Sequence, residues 1–321
     1  MAEMAEDGYP RILPAYDDGI FKSIFTRNES KYYLADIISS FIGTTVTGVT
    51  INSNEVPIKH KDAKRSVFDV SCTAADGKSQ FVVEMQADPM KYDSAGNEHL
   101  NIRHRSIYYL TSLHANLSGR GAMYSNFAKS YQITVCNYSP FRESHRLLEE
   151  FLMRNSRGVI LADAIRAIFV DLSLIGEIIK KNPLDMTAAE KWSVFIAKAN
   201  DPEYQKLIGD IIKSKEEIAM AQEVLASIST DADERARYIS QRMLEQDMEH
   251  ERVYWREISR EEGIEEGLRE GREAGIKEGR ESGIKEGRIE VARKMLDKGM
   301  DTGSISQLVE LPEEEIEKLR I

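Results

Sequence analysis

Ser66-Val67-Phe68-Asp69-Val70-Ser71-Cys72 and Gln80-Phe81-Val82-Val83-Glu84-Met85-Gln86 are two short apolar segments on either side of Asp76-Gly77. Apolar runs of this length bounded by a turn dipeptide read as a β-hairpin, and Asp-Gly suits a two-residue loop with positive φ at both centres. Such a loop pairs Ala75 with Lys78, which carries the register back to Asp69 opposite Glu84. Strand side chains alternate between faces, so Asp69, Glu84 and Gln86 share one face. Phe68, Val70, Phe81, Val83 and Met85 are expected on the other, apolar face.

Two carboxylates facing each other across a ladder repel, at a cost of up to about 1 kcal/mol. A hard cation between them turns that cost into a binding site, and Mg²⁺ prefers carboxylate oxygens while keeping several waters. Water on such an ion is a nucleophile for a phosphodiester. The alternative is an exposed sheet face that simply carries acids.

Outward from the hairpin, helical spacing of Phe21, Ile24, Phe25, Leu34, Ile37, Ile38 and Phe41 predicts helix from about Asp18 to Phe41, broken at Asn28-Glu29-Ser30. Residues 46–56 read as a strand, Glu98–Leu117 as a helix and Tyr131–Tyr138 as a strand. Residues 145–153 and 159–172 suit strands but tolerate a helical reading. From Met186 to Glu257 the pattern is polar, Ala-rich and helical. Helices alternating with several strands specify an α/β sheet domain with a C-terminal helical extension.

Residues 263–287 place Gly263, Gly267, Gly271, Gly275, Gly279, Gly283 and Gly287 at every fourth position. Each Gly costs a helix about 1 kcal/mol against Ala. Charge pairs of alternating sign at the same spacing return only about 0.2–0.5 kcal/mol each. A second helix packed along the stripe would supply the difference, making a homo-oligomer; a solvated charged linker is the other reading. Beyond Ile289, apolar stripes at Ala292, Met295 and Leu296 and at Ile305, Leu308 and Val309, with Gly299 between them, resemble a helix-turn-helix unit. Its third helix opens Pro312-Glu313-Glu314-Glu315, a surface that repels phosphate, so a protein-binding or dimerising bundle is expected. The expected division is 1–182, 183–258, 259–290 and 291–321.

Composition narrows the function classes. Lys and Arg number 14 against 15 Asp and Glu over residues 1–140, and 29 against 39 over 141–321. Phosphate affinity comes from Lys and Arg, so a nucleic-acid site belongs in the nearly neutral N-terminal half. No apolar run approaches the ~20 residues that span a bilayer, so no membrane partner is expected. The acidic N-terminus lacks a signal-like stretch, and the expected location is cytoplasmic. Cys72 and Cys136 lie in apolar runs and read as buried, reduced thiols. No P-loop, dinucleotide fingerprint, G-x-S-x-G or H-x-x-x-H occurs.

Taken in order, Asp18-Gly19-Ile20-Phe21-Lys22, Asp69, Glu84-Met85-Gln86, Arg105-Ser106-Ile107-Tyr108-Tyr109, Trp192 with Phe195, and Ala232-Asp233-Glu234-Arg235 with Tyr238 and Asp247 resemble the Rpn recombination-promoting nucleases, PD-(D/E)XK-type transposases. The Glu-Gly repeat and closing helical unit also recur there. The resemblance implies a restriction-endonuclease-like mixed sheet flanked by helices and DNA cleavage dependent on Mg²⁺, or Mn²⁺, linked to recombination or mobile-element movement. It makes Asp69 and Glu84 metal ligands, with the Met85 carbonyl as a further ligand and Asp18 as a third acid. Gln86 stands where the wider superfamily has Lys; an amide orients water but brings no charge. Lys22 and Lys64 are candidates for that charge, and Arg105 for a phosphate contact or a carboxylate pair. Tyr108 is expected in the core. The competing expectation is a nuclease-like fold without catalysis that serves as an oligomeric interaction protein.

Overall fold

The computed structural model describes residues 5, 8–52, 68–87, 98–115, 123, 127–141 and 143–320. Lys64 and residues 53–56 of the expected first strand lie outside them. Two compact units result, Met1–Gln241 and Arg242–Ile321.

The first unit is built on a six-stranded mixed sheet. Its strands are β1 (Val49–Ile51), β2 (Val70–Ala74), β3 (Ser79–Gln86), β4 (Lys129–Cys136), β5 (Leu148–Phe151) and β6 (Ile165–Asp171), in the order β1-β2-β3-β4-β6-β5. β3, β4 and β6 are parallel and the outer pairings antiparallel. Both segments with a helical alternative, 145–153 and 159–172, therefore contribute strands.

The β2–β3 register is the expected one: Val70 pairs with Val83, Cys72 with Phe81 and Thr73 with Gln80. The turn is not. Only Gly77 has positive φ (+69°), and its N–H donates to the Ala74 carbonyl at 2.9 Å. Lys78 N–H donates to the Asp76 carboxylate instead of pairing with Ala75. The loop spans four residues rather than two. Both counts are even, so the register survives the change of turn. Phe68 departs from its expected face as well. β2 begins only at Val70, the chain bends at Asp69, and Phe68 turns to pack with Val82, Leu113 and Tyr109.

One face of the sheet carries the main core. Against Val70, Cys72, Phe81, Val83, Met85, Ile133, Val135 and Val170 pack α1 (Asp18–Phe25) and α2 (Lys31–Ile42), separated by a 3-10 turn at Asn28–Ser30. The same core takes in α4 (Ala188–Lys198), α5 (Gln205–Ser214) and α6 (Glu216–Thr230), through Trp192, Phe195, Ile211 and Leu225 among others. Full burial of each large side chain contributes about 1.5–3 kcal/mol. Trp192 Nε1–H donates to Asp36 at 2.7 Å, and Lys215 pairs with the other Asp36 oxygen at 2.8 Å.

The opposite face is covered by α3 (Glu98–Ala115), which connects β3 to β4. This interface is polar as well as apolar. Ser106 meets Thr134, the Gln80 amide donates to Ser130 Oγ, and His114 bonds Ser130 Oγ, all of them except His114 buried. Buried polar groups persist where they are hydrogen-bonded to one another. Cys72 and Cys136 are buried free thiols, and desolvation pushes the Cys72 thiol up to about 12.

α7 (Ala232–Asp297) contains the entire glycine repeat. A Cβ added at any of its seven glycines would meet nothing within 4 Å. In the second unit, α8 (Thr302–Val309) and α9 (Glu313–Glu317) close a small core of Ala292, Ile305, Val309, Leu311 and Ile316, while Leu308 is exposed. Gly299, at φ +81°, ends α7. Among the described residues no helix is long and apolar enough to cross a membrane.

Candidate active site

Among the described residues, the C-terminal end of β3, Glu84 to Gln86, pairs with β4 but has no antiparallel neighbour, because β2 begins only at Val70. Backbone donors on that side then lack a ladder. Carboxylates replace it. Met85 N–H donates to Asp69 Oδ2 at 2.9 Å, and Ala87 N–H donates to Asp18 Oδ1 at 3.1 Å. Asp69 N–H in turn donates to Glu84 Oε1 at 3.1 Å. Asp17 caps α1 through Gly19 and Ile20 N–H, which sets Asp18 in the first turn facing the end of β3.

Asp69 and Asp18 therefore sit on N–H groups two residues apart, about 6.7 Å along a strand. Asp18 thus stands beside Asp69 at the end of β3, as the third acid expected there. Among the described residues no three carboxylate, imidazole or thiol groups gather at one point.

Glu84 is 1% exposed. Desolvation and the neighbouring Asp69 charge push its carboxyl up to about 8, against the pull of Arg105. Desolvation also raises Asp69, opposed by the Met85 N–H and by the charges of Arg105 and Lys22. Lys22, on α1, thus reaches the site as a field.

Arg105, on α3, makes the principal cationic contact. Its Nη2 donates to Glu84 Oε2 at 2.6 Å, and its Nη1 donates to Gln86 Oε1 at 3.3 Å. Of its two sequence readings, the carboxylate pair is the one formed. Gln86, 5% exposed, spends its amide on the Met85 carbonyl at 2.7 Å. Arg105 is thus the cation in contact with both Glu84 and Gln86.

Tyr108 is 42% exposed, contrary to its expected place in the core. The aromatic that joins the site is Tyr109, whose ring lies 4.9 Å from the Arg105 guanidinium and packs edge-on to Phe68. The sequence signal was the four-residue spacing from Arg105, which puts both on one helix face.

The donor set can be tested against a divalent ion. Asp69, half-buried, and Glu84, buried, offer hard oxygens; desolvation raises both carboxyls, and the Asp69 charge raises Glu84 further. Two adjacent carboxylates whose charged forms are disfavoured would be stabilised by a hard cation between them. The residues fit.

No curated protein and no solved structure matches the chain. Residues 15–252 match the family model described as PD-(D/E)XK nuclease family transposase. That span takes in Asp18, Asp69, Glu84, Gln86 and Arg105, together with the sheet and the helices of the main core. The chain belongs to the PD-(D/E)XK nuclease family transposases.

Proposed function

We propose that the protein is a metal-dependent DNA endonuclease, acting in recombination or mobile-element movement. The observation that carries this reading is the Asp69–Glu84 pair, joined through the Asp69 N–H, with Glu84 buried and closed on one side by Arg105. Asp69 and Glu84 are the residues that would hold Mg²⁺, or Mn²⁺, with the Met85 carbonyl beside them. Such an ion, when bound, supplies Lewis acidity and a water of lowered pKa.

The chain's own groups do the rest. Arg105 fixes the Glu84 carboxylate and brings its positive charge to where a phosphate oxygen would lie. Gln86, anchored by its amide to the Met85 carbonyl, keeps its oxygen toward Arg105 and orients the guanidinium. Asp18, on the neighbouring N–H, is placed to accept a proton or hold a water at the edge of the site. Lys22 adds attraction for the phosphodiester.

Plasmid nicking tests this reading. Wild type should cut with Mg²⁺ and not with EDTA, and Asp69→Asn and Glu84→Gln should both be inactive. Cutting that persists in both variants overturns it.

Self-association through α7 is a second part of the proposal. Ile264, Leu268, Ile276 and Ile284 each follow a repeat glycine and are at least half exposed, an apolar line beside an open glycine stripe. A second copy of the helix would cover both. The same line would serve a chain that had lost cleavage and kept only its interactions, and the nicking assay separates the two.

A further inference from the structure

The sheet register sets a row of side chains on the face that α3 covers. Glu84 pairs with Thr134, Thr134 with Phe169, and Phe169 with Glu149. At about 4.8 Å per strand, Phe169 lies about 10 Å across the sheet from Glu84. α3 rests on the middle of this row, with Ser106 Oγ 3.3 Å from Thr134 Oγ1. Arg105 and Tyr109 face the acids from one flank of the helix. On the other flank is a cavity of about 890 Å³, with Phe169, Phe151 and Phe141 in its walls and Ile107 and Arg103 above. That volume is in the range of small-molecule sites.

Its aromatic wall is fixed in orientation. Phe151 stacks on Phe141 with centroids 4.9 Å apart and meets Phe169 edge-on at 5.9 Å. Arg103 lies 4.1 Å over the Phe141 ring and also donates to the Pro140 carbonyl. Yet Phe151 is 43% exposed and Ile107 61% exposed. A ring held from two sides with much of its surface open is a prepared stacking platform.

The rim carries both signs, Arg103 and Arg146 against Glu143 and Glu149, with the exposed cation Arg146 and the imidazole of His145 at its edge. Glu143 is neutralised by Arg103, while Glu149 accepts from Ser144 Oγ and keeps its charge. Arg146 and His145 are exposed and form no ion pair among the described residues. Cations beside an aromatic platform match a nucleotide, whose base stacks while its phosphates meet the basic side chains. A base inside a duplex is already stacked and paired on both sides, so only an unpaired one can enter.

We infer that this cavity binds one unpaired nucleobase of a DNA strand whose phosphodiester lies at the acid pair on the other flank of α3. The inference rests on the nuclease reading for the identity of the strand. It makes single-stranded, gapped or frayed DNA the preferred substrate class and puts the held base a few nucleotides from the cut.

The test is binding by the full-length protein in EDTA, so that cleavage plays no part. Labelled oligo-dT and a fully paired hairpin are titrated by anisotropy. Base–aromatic stacking predicts that Phe151→Ala weakens oligo-dT binding by roughly fivefold or more. Hairpin binding should change by less than about twofold, because a paired base does not use the platform. Ile107→Trp, an exposed position, fills the cavity without truncating the wall and should show the same selective loss. A 2-aminopurine base in the single strand should be quenched on binding wild type and not on binding Phe151→Ala. Equal losses on single strand and hairpin, or single-strand binding indifferent to both substitutions, overturn the inference. If oligo-dT binding depends on Phe151 while no plasmid is cut, the base site stands and the nuclease reading falls.

Discussion

Arg105 Nη2 sits 2.6 Å from Glu84 Oε2, so a cation carried on a helix neutralises part of an acid pair carried on a strand. Removing it leaves Glu84 buried with only like charge nearby. Glu84 is 1% exposed and Arg105 is 23% exposed at its side chain, so the cost lies between that of a buried and a surface pair. Arg105→Ala should destabilise the protein by about 2 kcal/mol. Adding Glu84→Gln should recover most of that loss, because the unpaired charge is gone. Urea melts of the wild type, both single variants and the double variant check this. Additive losses would mean that the two residues do not act as a pair.

A raised carboxyl has a definite effect on stability. Glu84 moves from its usual 4.5 to about 8. Between those values the folded chain holds more protons than the unfolded one, so stability falls as pH rises. In EDTA, Tm should drop by about 2–6 °C from pH 5 to pH 8. Asp69→Asn removes the like charge and should flatten the slope, raising Tm at pH 8 while abolishing cleavage. A divalent ion should flatten it too in the wild type, and release protons when added near pH 7.

Gln86→Lys would restore the residue type of the wider superfamily. Here it would set a second cation against Arg105 and lose the amide bond to the Met85 carbonyl. Cleavage should therefore fall, by about tenfold if about 1.4 kcal/mol of positioning is lost. A faster Gln86→Lys enzyme would show that Arg105 does not occupy the cationic role. Single-turnover rates at saturating DNA separate this from a change in binding.

Away from the site, Asp36 ties Trp192 of α4 and Lys215 to α2. Asp36→Ala strands a buried indole N–H and should cost about 2–3 kcal/mol. Plasmid nicking well below the new Tm should be unchanged.

The glycine repeat allows a test whose sign differs between a monomer and an oligomer. With open space at every glycine, Gly271→Ala, Gly275→Ala and Gly279→Ala should each strengthen an isolated helix by about 1 kcal/mol. If a second copy packs on the stripe, the added methyl groups clash and the assembly weakens. Sedimentation and thermal melts of the triple variant read the two outcomes separately.

Much of this architecture was legible in the sequence because it rests on parity and spacing. The β2–β3 register needed only an even loop, so it survived a wrong expectation for the Asp76-Gly77 turn. The break at Asn28-Glu29-Ser30 and the helix end at Gly299 were visible as local chemistry. Phe68 was misplaced because alternation holds only inside a ladder, and the ladder ends before Asp69. The choice between the two readings of Arg105 depended on how α3 lies across β3, which no local pattern records. Tyr108 and Tyr109 were adjacent aromatics, and only the helix rotation separates an exposed ring from one in the site. The aromatic cavity was invisible for a similar reason. Phe141, Phe151 and Phe169 meet only after β5 and β6 have paired.

The acids also have a duty that involves no chemistry on DNA. Where β2 stops, β3 has, among the described residues, the unladdered donors of an edge strand, the kind of surface that recruits a strand from another molecule. Asp69 and Asp18 occupy Met85 and Ala87 N–H and so seal that edge. Alanine in their place would expose it and invite aggregation, whereas asparagine keeps an acceptor there and removes only the charge. Of the acids, Glu84 has no part in that sealing: its oxygens meet the Asp69 N–H and Arg105.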